Sequence, residues 1–307
     1  MALLRLIRLP NLLIVALTQG LLYFLALMPA YDENQVRPTL DPLFLGLLCG
    51  VTLLLTAGGY IINDIEDEKT DLANRPDRVI VGKRISRQVA IWLYALASIS
   101  GFLLALFIAF QVQKVKLLFL YPLALGILYW YSKTGQKLPL IGNLVISLFC
   151  AGVAGIIWAA EWPGLHALRA AAPQAYHQVG ALFIWYSIFA FLSNLYREMV
   201  KDIEDAHGDG LSGAKTLPVL YGPRMAKRMA IAVGSLFLVF LLFSGWHLRV
   251  SLGASFVLFL LPTSFLLLAV SFQRLLAAKT PSAFRQVSLL IKLLMVTGLL
   301  SLLFVRF

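Results

Sequence analysis

Long apolar runs alternate with short polar ones along the whole chain. The runs lie near 10–30, 43–62, 88–110, 115–132, 140–160, 178–197, 226–246, 250–273 and 284–305. About 20 apolar residues in a helix cross the hydrocarbon core of a bilayer. The pattern therefore predicts nine transmembrane helices in an all-α, polytopic membrane protein. The first run, from Leu9 to Met28, is too long for the apolar part of a secretory signal and lacks a convincing cleavage site. It reads as the first span. The longest connections are 63–87, 161–177 and 198–225, none of them long enough for a soluble domain. The whole chain, 1–307, is expected to be a single domain. The 161–177 connection is Ala-rich, with Pro163 and Pro173. Its His166 and His177 read as exposed or interfacial groups rather than metal ligands.

Composition supports a lipid solvent. Of 307 residues, 60% are hydrophobic and 13% charged, against roughly 45–50% and 25% for soluble domains. Disorder, fibrous structure and a secreted disulfide scaffold are excluded. Cys49 and Cys150, both in apolar runs, read as small hydrophobes. The net charge of +11 is not gathered in a basic arm, so a nucleic-acid partner is not expected. No obligate protein partner is evident either. The charge is sorted by side instead. Of 26 Lys and Arg, nineteen fall before the first span or in the loops after even-numbered spans and the span ends beside them, six fall on the other side, and Lys292 lies deeper within the last span. This bias predicts a cytoplasmic N-terminus and an outside C-terminus.

The acids are distributed quite differently. Eleven of fifteen occupy two short stretches, one holding Asp64, Glu66, Asp67, Glu68, Asp71 and Asp77, the other Glu198, Asp202, Glu204, Asp205 and Asp209. Asp64-Ile65-Glu66-Asp67 recurs as Asp202-Ile203-Glu204-Asp205. Both tetrads follow an even-numbered span, which predicts a parallel internal repeat with its acidic motifs at 63–71 and 198–209. On a helix, Asn63, Asp67 and Asp71 are each offset by only about 40°. Asp202 and Asp205, and Glu198 and Asp202, also share a face. Carboxylates crowded on one face raise one another's pKa or draw in a cation. Hard oxygen donors without Cys or His suit Mg²⁺, which typically combines a few carboxylates with phosphate oxygens and water. The expected metal ligands are Asn63, Asp67, Asp71, Glu198, Asp202, Asp205 and Asp209. Two such clusters facing each other could hold a diphosphate. The basic residues Arg75, Arg78, Lys133, Lys137, Arg197 and Lys201 lie near them as candidate diphosphate contacts. A solvated loop of mixed charge is the plainer alternative, since 63–87 carries six acids and six bases. It does not explain a duplicated acidic tetrad. A cation transporter would also use acids, but would bury them near the midplane.

These residues resemble a known family. Asn63-Asp64-x-x-Asp67-x-x-x-Asp71, followed by Asn74-Arg75-Pro76-Asp77-Arg78, Gly82 and Ser86, is similar to the first aspartate-rich motif of the UbiA superfamily of intramembrane prenyltransferases. Tyr131-Ser132, Lys137 and Gly142-Asn143 resemble its mid-chain signature, and Arg8-Leu9-Pro10-Asn11 its N-terminal region. Arg197-Glu198-Met199-Val200-Lys201-Asp202-Ile203-Glu204-Asp205, with Gly208-Asp209 and Gly213-Ala214-Lys215-Thr216-Leu217-Pro218, resembles the second motif in its digeranylgeranylglyceryl phosphate synthase branch. One departure is Ala206, where many members carry an Asp four residues after the position of Asp202. Asp205, Glu198 or Asp209 is left to supply that ligand.

The resemblance implies nine helices around a central cavity, a polar site at its cytoplasmic end and a lateral opening to lipid. It also implies Mg²⁺-dependent transfer, with Mn²⁺ as a possible substitute, of a polyprenyl chain from its diphosphate. The acceptor would be the hydroxyl of a prenylglyceryl phosphate, or an aromatic acceptor of quinone biosynthesis. Catalytic roles would fall to Lys133 and Arg197 on the leaving diphosphate and to Asp64 or Asp71 on the acceptor proton. Tyr23, Phe24, Tyr129, Trp130 and Tyr186 are candidate aromatic walls.

Overall fold

The computed structural model describes every residue except Arg75, Asp77, Arg78, Arg306 and Phe307. For Lys69, Ala73, Asn74, Trp246, His247 and 249–252 it describes the backbone alone. Among the described residues the structure is helical, with no strand and one isolated bridge between Val81 and Ile85. Among the described residues, nine helices are long and apolar enough to span a membrane: α1 Leu9–Glu33, α2 Pro42–Glu66, α3 Arg87–Gln111, α4 Val115–Lys133, α5 Ile141–Ala160, α6 Pro173–Leu211, α7 Leu217–Gly245, α8 Ala254–Ala277 and α9 Pro281–Phe304. The chain is a multi-pass integral membrane protein.

Local chemistry sets the helix ends. Asp41, Ser86 and Thr280 cap α2, α3 and α9, their side chains accepting from Phe44 N (2.8 Å), Val89 N (3.3 Å) and Ala283 N (3.3 Å). Pro42 and Pro281 occupy first-turn positions, where a missing N–H costs nothing. In α1 the ladder widens into a π-turn over Tyr23–Leu27 just before Pro29. Proline has no N–H to return to the carbonyl of Leu25. Near the start of α7, Gly222 takes φ +79° before Pro223 and interrupts the helix.

Two expected connections are largely helical. The 161–177 segment holds the helix Trp162–Ala171 and the start of α6 at Pro173. His166 and His177 are exposed there, as expected. The 198–225 segment continues α6 without a break to Leu211, giving a helix of 39 residues. Hydropathy ends where the lipid does, but Arg197 to His207 consists mainly of helix-tolerant residues with no Gly or Pro, so the backbone continues.

The chain forms two compact units. The first comprises Met1–Leu17, Thr39–Gly142 and His207–Lys215. In it α2 packs on α3 and α4, and Tyr121 Oη of α4 donates to Ser98 O of α3 at 3.0 Å. A buried cluster of Leu6, Ile61, Ile62, Ile65, Val81 and Ala90 closes one end. The second unit comprises Thr18–Pro38, Asn143–Ala206 and Thr216–Phe307. There α8 packs on α7 and α9 around an aromatic core that includes Trp185, Phe189, Phe237 and Phe256. A Cβ on Gly298 would fall 2.1 Å from the Phe189 ring, so the absent side chain admits that ring.

Candidate functional site

The first acidic stretch lies at the end of α2, above the buried cluster of the first unit. The backbone bends at Asp67 (φ −88°, ψ 3°), and a short helix, Glu68–Asn74, follows. Helical spacing survives the bend. Asp67 N donates to Asn63 O and Asp71 N to Asp67 O, both at 2.8 Å. Two carboxamides hold the Asp67 carboxylate: Asn63 Nδ2 reaches Oδ2 and Gln136 Nε2 reaches Oδ1, each at 2.6 Å. Burial pushes the Asp67 carboxyl up to about 7. Repulsion from Asp71 and Asp64 acts in the same direction, against the Gln136 hydrogen bond and the charge of Arg8.

Asp64 carries an ion pair with Arg8 (Nη2 to Oδ1, 2.9 Å), and the same guanidinium lies 4.7 Å from the Tyr60 ring centroid. Asn11 Nδ2 donates to Tyr60 Oη at 3.2 Å. The N-terminal Arg8-x-x-Asn11 is thereby tied to the acidic end of α2. Glu68 turns away to Arg87, whose Nη1 also donates to Ile65 O (3.1 Å), near the end of α2. Gly82 sits beside it at φ +85°, where an added Cβ would come 2.4 Å from Glu68 Oε1. Both the backbone conformation and the space there require glycine.

Lys133 is exposed, with Nζ 5.8 Å from the Tyr129 ring centroid. Lys137 is half-buried, and its carbonyl accepts from Lys215 N at 2.8 Å. The tail of the second stretch, with Asp209, thus folds into the unit that holds the first. Arg75 and Arg78 lie outside the described residues. Of the aromatic candidates, Tyr23 and Tyr186 are buried, while Phe24, Tyr129 and Trp130 are exposed.

The rest of the second stretch belongs to the second unit. Glu198 accepts from Arg197 Nη1 on Oε1 (2.5 Å) and from Lys201 Nζ on Oε2 (3.0 Å). Asp202 Oδ2 accepts from Asn143 Nδ2 at 2.9 Å. Behind Asn143 runs a buried ladder: Ser147 Oγ donates to Asn143 O (2.6 Å), and Asn194 Nδ2 donates to Ser147 Oγ (3.2 Å). Glu204 points to the opposite side of the helix from Asp202, where Arg285 Nε pairs with it at 2.9 Å. Asp205 is half-buried.

Among the described residues, no three His, Cys, Asp or Glu side chains are grouped as a self-sufficient metal site. The first unit gathers Asn63, Asp64, Asp67 and Asp71, and the second Arg197, Glu198 and Lys201 beside Asp202. Sequence reasoning assigns no role to Gln136, nor does it pair Arg285 with Glu204. Arg8 and Asn143 stand out in the sequence only through the family pattern.

The chain matches the model of the UbiA prenyltransferase family over residues 11–304. A digeranylgeranylglyceryl phosphate synthase from Methanopyrus kandleri is 34% identical over 180 residues, which is 59% of this chain and 59% of that relative. A solved structure concerned with digeranylgeranylglyceryl phosphate synthase in membranes shares the fold at TM-score 0.63 and 24% identity, over 98% of this chain and 96% of the other. So does a UbiA homolog from Archaeoglobus fulgidus bound to DMAPP and Mg²⁺, at TM-score 0.59 and 16% identity, over 98% of this chain and 99% of the other. From the motifs, the nine helices and a match spanning nearly its full length, the chain belongs to the UbiA prenyltransferase family.

Proposed function

We propose that this protein transfers a polyprenyl group, of the geranylgeranyl type, from its diphosphate to the free hydroxyl of a prenylglyceryl phosphate, forming an ether lipid. One observation carries the reading. Residues His207–Lys215, the tail of the second acidic stretch, fold into the unit of the first stretch, and Lys215 N–H is bonded to the loop whose Gln136 holds Asp67. Asp209 of the second stretch therefore belongs to the same unit as Asn63, Asp67 and Asp71. The synthase name of the Methanopyrus kandleri relative supports the acceptor, and the prenyl diphosphate in the Archaeoglobus fulgidus homolog supports the donor.

The chemistry of the donors fits Mg²⁺. Asn63, Asp67 and Asp71 offer oxygen atoms, and the raised pKa of Asp67 reflects in part the negative charge of its neighbours. Two carboxylates with phosphate oxygens and water complete such a site without a third protein acid. The ligands assigned are Asn63, Asp67 and Asp71 in the first stretch and Asp202, Asp205 and Asp209 in the second. Bound Mg²⁺ neutralises charge developing on the departing diphosphate; Mn²⁺ is assigned as a substitute. Lys133, Lys137, Arg197 and Lys201 contact the diphosphate, with Glu198 as counter-ion of the last two before substrate arrives. The allylic C–O bond breaks, the acceptor oxygen bonds to the allylic carbon, and Asp71 takes the hydroxyl proton. Asp64, held by Arg8, orients the first stretch. An apolar interior keeps water from capturing the allylic cation. The Lys and Arg bias supports a cytoplasmic site and N-terminus.

The test is product analysis. Purified protein is incubated with labelled geranylgeranyl diphosphate, Mg²⁺ and either a prenylglyceryl phosphate, a hydroxybenzoate or a naphthoate. Ether lipid, lost in excess chelator, is expected. Transfer to an aromatic acceptor alone overturns the acceptor assignment, and full activity in chelator overturns the metal.

A further inference from the structure

Each acidic stretch has a carboxylate held by a carboxamide from the short segment between α4 and the first turn of α5, and the two carboxamides are seven residues apart. In the first unit Gln136 spends both amide hydrogens. One goes to Asp67 Oδ1 at 2.6 Å, the other to Ser132 O in the last turn of α4 at 2.7 Å. The second bond is local and satisfies a carbonyl that the helix end leaves open. It fixes the amide plane, so the first bond fixes the carboxylate. In the second unit Asn143, 7% exposed, donates to Asp202 Oδ2. Its backbone carbonyl accepts from Ser147 Oγ (0% exposed), which accepts in turn from Asn194 Nδ2 (4% exposed). Each carboxamide supplies an N–H to one carboxylate oxygen and so constrains how that carboxylate is turned.

The geometry points to Gln136 and Asn143 as positioning residues for the metal-binding carboxylates Asp67 and Asp202. The inference rests on the metal reading above and goes beyond it. Partners that orient ligating groups commonly account for about 10–100-fold in metal affinity. A carboxamide suits this role because it donates without competing for the cation through a charge of its own. Gln136 and Asn143 act through the acids, so their loss should appear in metal dependence before it appears in turnover.

Gln136→Met and Asn143→Leu remove the donors while keeping side chains of similar length. Binding of Mn²⁺ alone to the purified full-length protein, followed by electron paramagnetic resonance, should weaken about tenfold or more in each variant. Half-saturating Mg²⁺ for transfer should rise in parallel. The kcat at saturating Mg²⁺ and the KM for acceptor should stay within about threefold, because neither residue touches the reacting atoms. If Asn143→Leu disturbs the ladder and fails to fold, Gln136→Met at the half-buried loop decides the matter alone. Unchanged Mn²⁺ affinity in a folded Gln136→Met protein overturns the inference. Asp67→Ala, measured beside it, separates the two failures. Weakened Mn²⁺ binding there with an unaffected Gln136→Met removes only the positioning role, whereas undiminished binding in Asp67→Ala removes the metal reading of the first stretch.

Discussion

The two acidic stretches share a tetrad of the same four residues and end as different structures. At Asp67 the backbone bends and a separate short helix begins, while through Asp202 to Leu211 the helix never stops. The first stretch is built from neighbours close in sequence, Asn63 and Asp71, with Arg8 and Gln136 brought in from outside. The second is braced laterally, by Asn143 on one face and Arg285 on another. Sequence identity over a tetrad therefore preserved the chemistry of the acids but not their supports. A bent run of carboxylates can close around a ligand, whereas a straight helix can only present one.

The largest expected effect tests the shared chemistry. Asp67→Ala and Asp202→Ala should each reduce prenyl transfer by about 1,000-fold or more, since metal stabilisation of a leaving group is worth several kcal/mol. The assay is labelled product formation by protein that still purifies as a folded membrane species. Normal transfer by either variant refutes the equivalence of the stretches.

The lateral brace is next in size. Arg285→Met should remove this ion pair from Glu204, only 4% exposed at its side chain, and lower stability by about 2 kcal/mol. Arg285 is itself about a third exposed, which keeps the loss below that of a fully buried pair. The double variant Glu204→Gln with Arg285→Met should recover much of the loss in a thermal or denaturant unfolding assay. Glu66→Gln, at the matching position of the first tetrad, should change stability by less than about 0.5 kcal/mol.

The third effect belongs to the first stretch alone. With Asp67 near 7, the carboxyl is mostly protonated below that pH and ionised above it. Metal must displace the proton, so affinity falls as pH falls. Between pH 8 and pH 6, Mn²⁺ binding to the first stretch should weaken about tenfold. Asp67→Asn, which cannot ionise, should flatten that dependence, and an unaltered profile in this variant would assign the titration elsewhere.

The smallest effect separates two roles for Glu198. As counter-ion of Arg197 and Lys201 it opposes an incoming diphosphate, so Glu198→Gln should lower the KM for prenyl diphosphate about threefold through relief of charge competition. A metal ligand would behave oppositely, raising the Mg²⁺ requirement.

Much of this molecule is legible in its sequence because lipid imposes a simple rule. Nine apolar runs of sufficient length correspond to nine membrane-length helices among the described residues, and the ends of α3, α4 and α5 moved by no more than a residue. The first stretch was legible too, since Asn63 and Asp67 are local and four residues apart. The continuation of α6 was not, because hydropathy reports the solvent and not the backbone; past Arg197 the solvent changes while the helix persists. Gln136 was invisible for another reason. A single uncharged amide in a loop has no periodicity, and its partner lies 69 residues away. Arg285 is assigned in the sequence to the base-rich side, yet its pairing with Glu204, 81 residues distant, is a property of packing.

The uninterrupted length of α6 has a further consequence. Thirty-nine residues make a rod about 58 Å long, while the oily layer is only about 30 Å deep. Nearly half of the rod must stand in headgroups or water. Asp202, Asp205 and Asp209 lie on its last three turns, spread over about 10 Å of height. A greasy tail and an ionic head could therefore be handled on a single rigid element, each in the solvent that suits it.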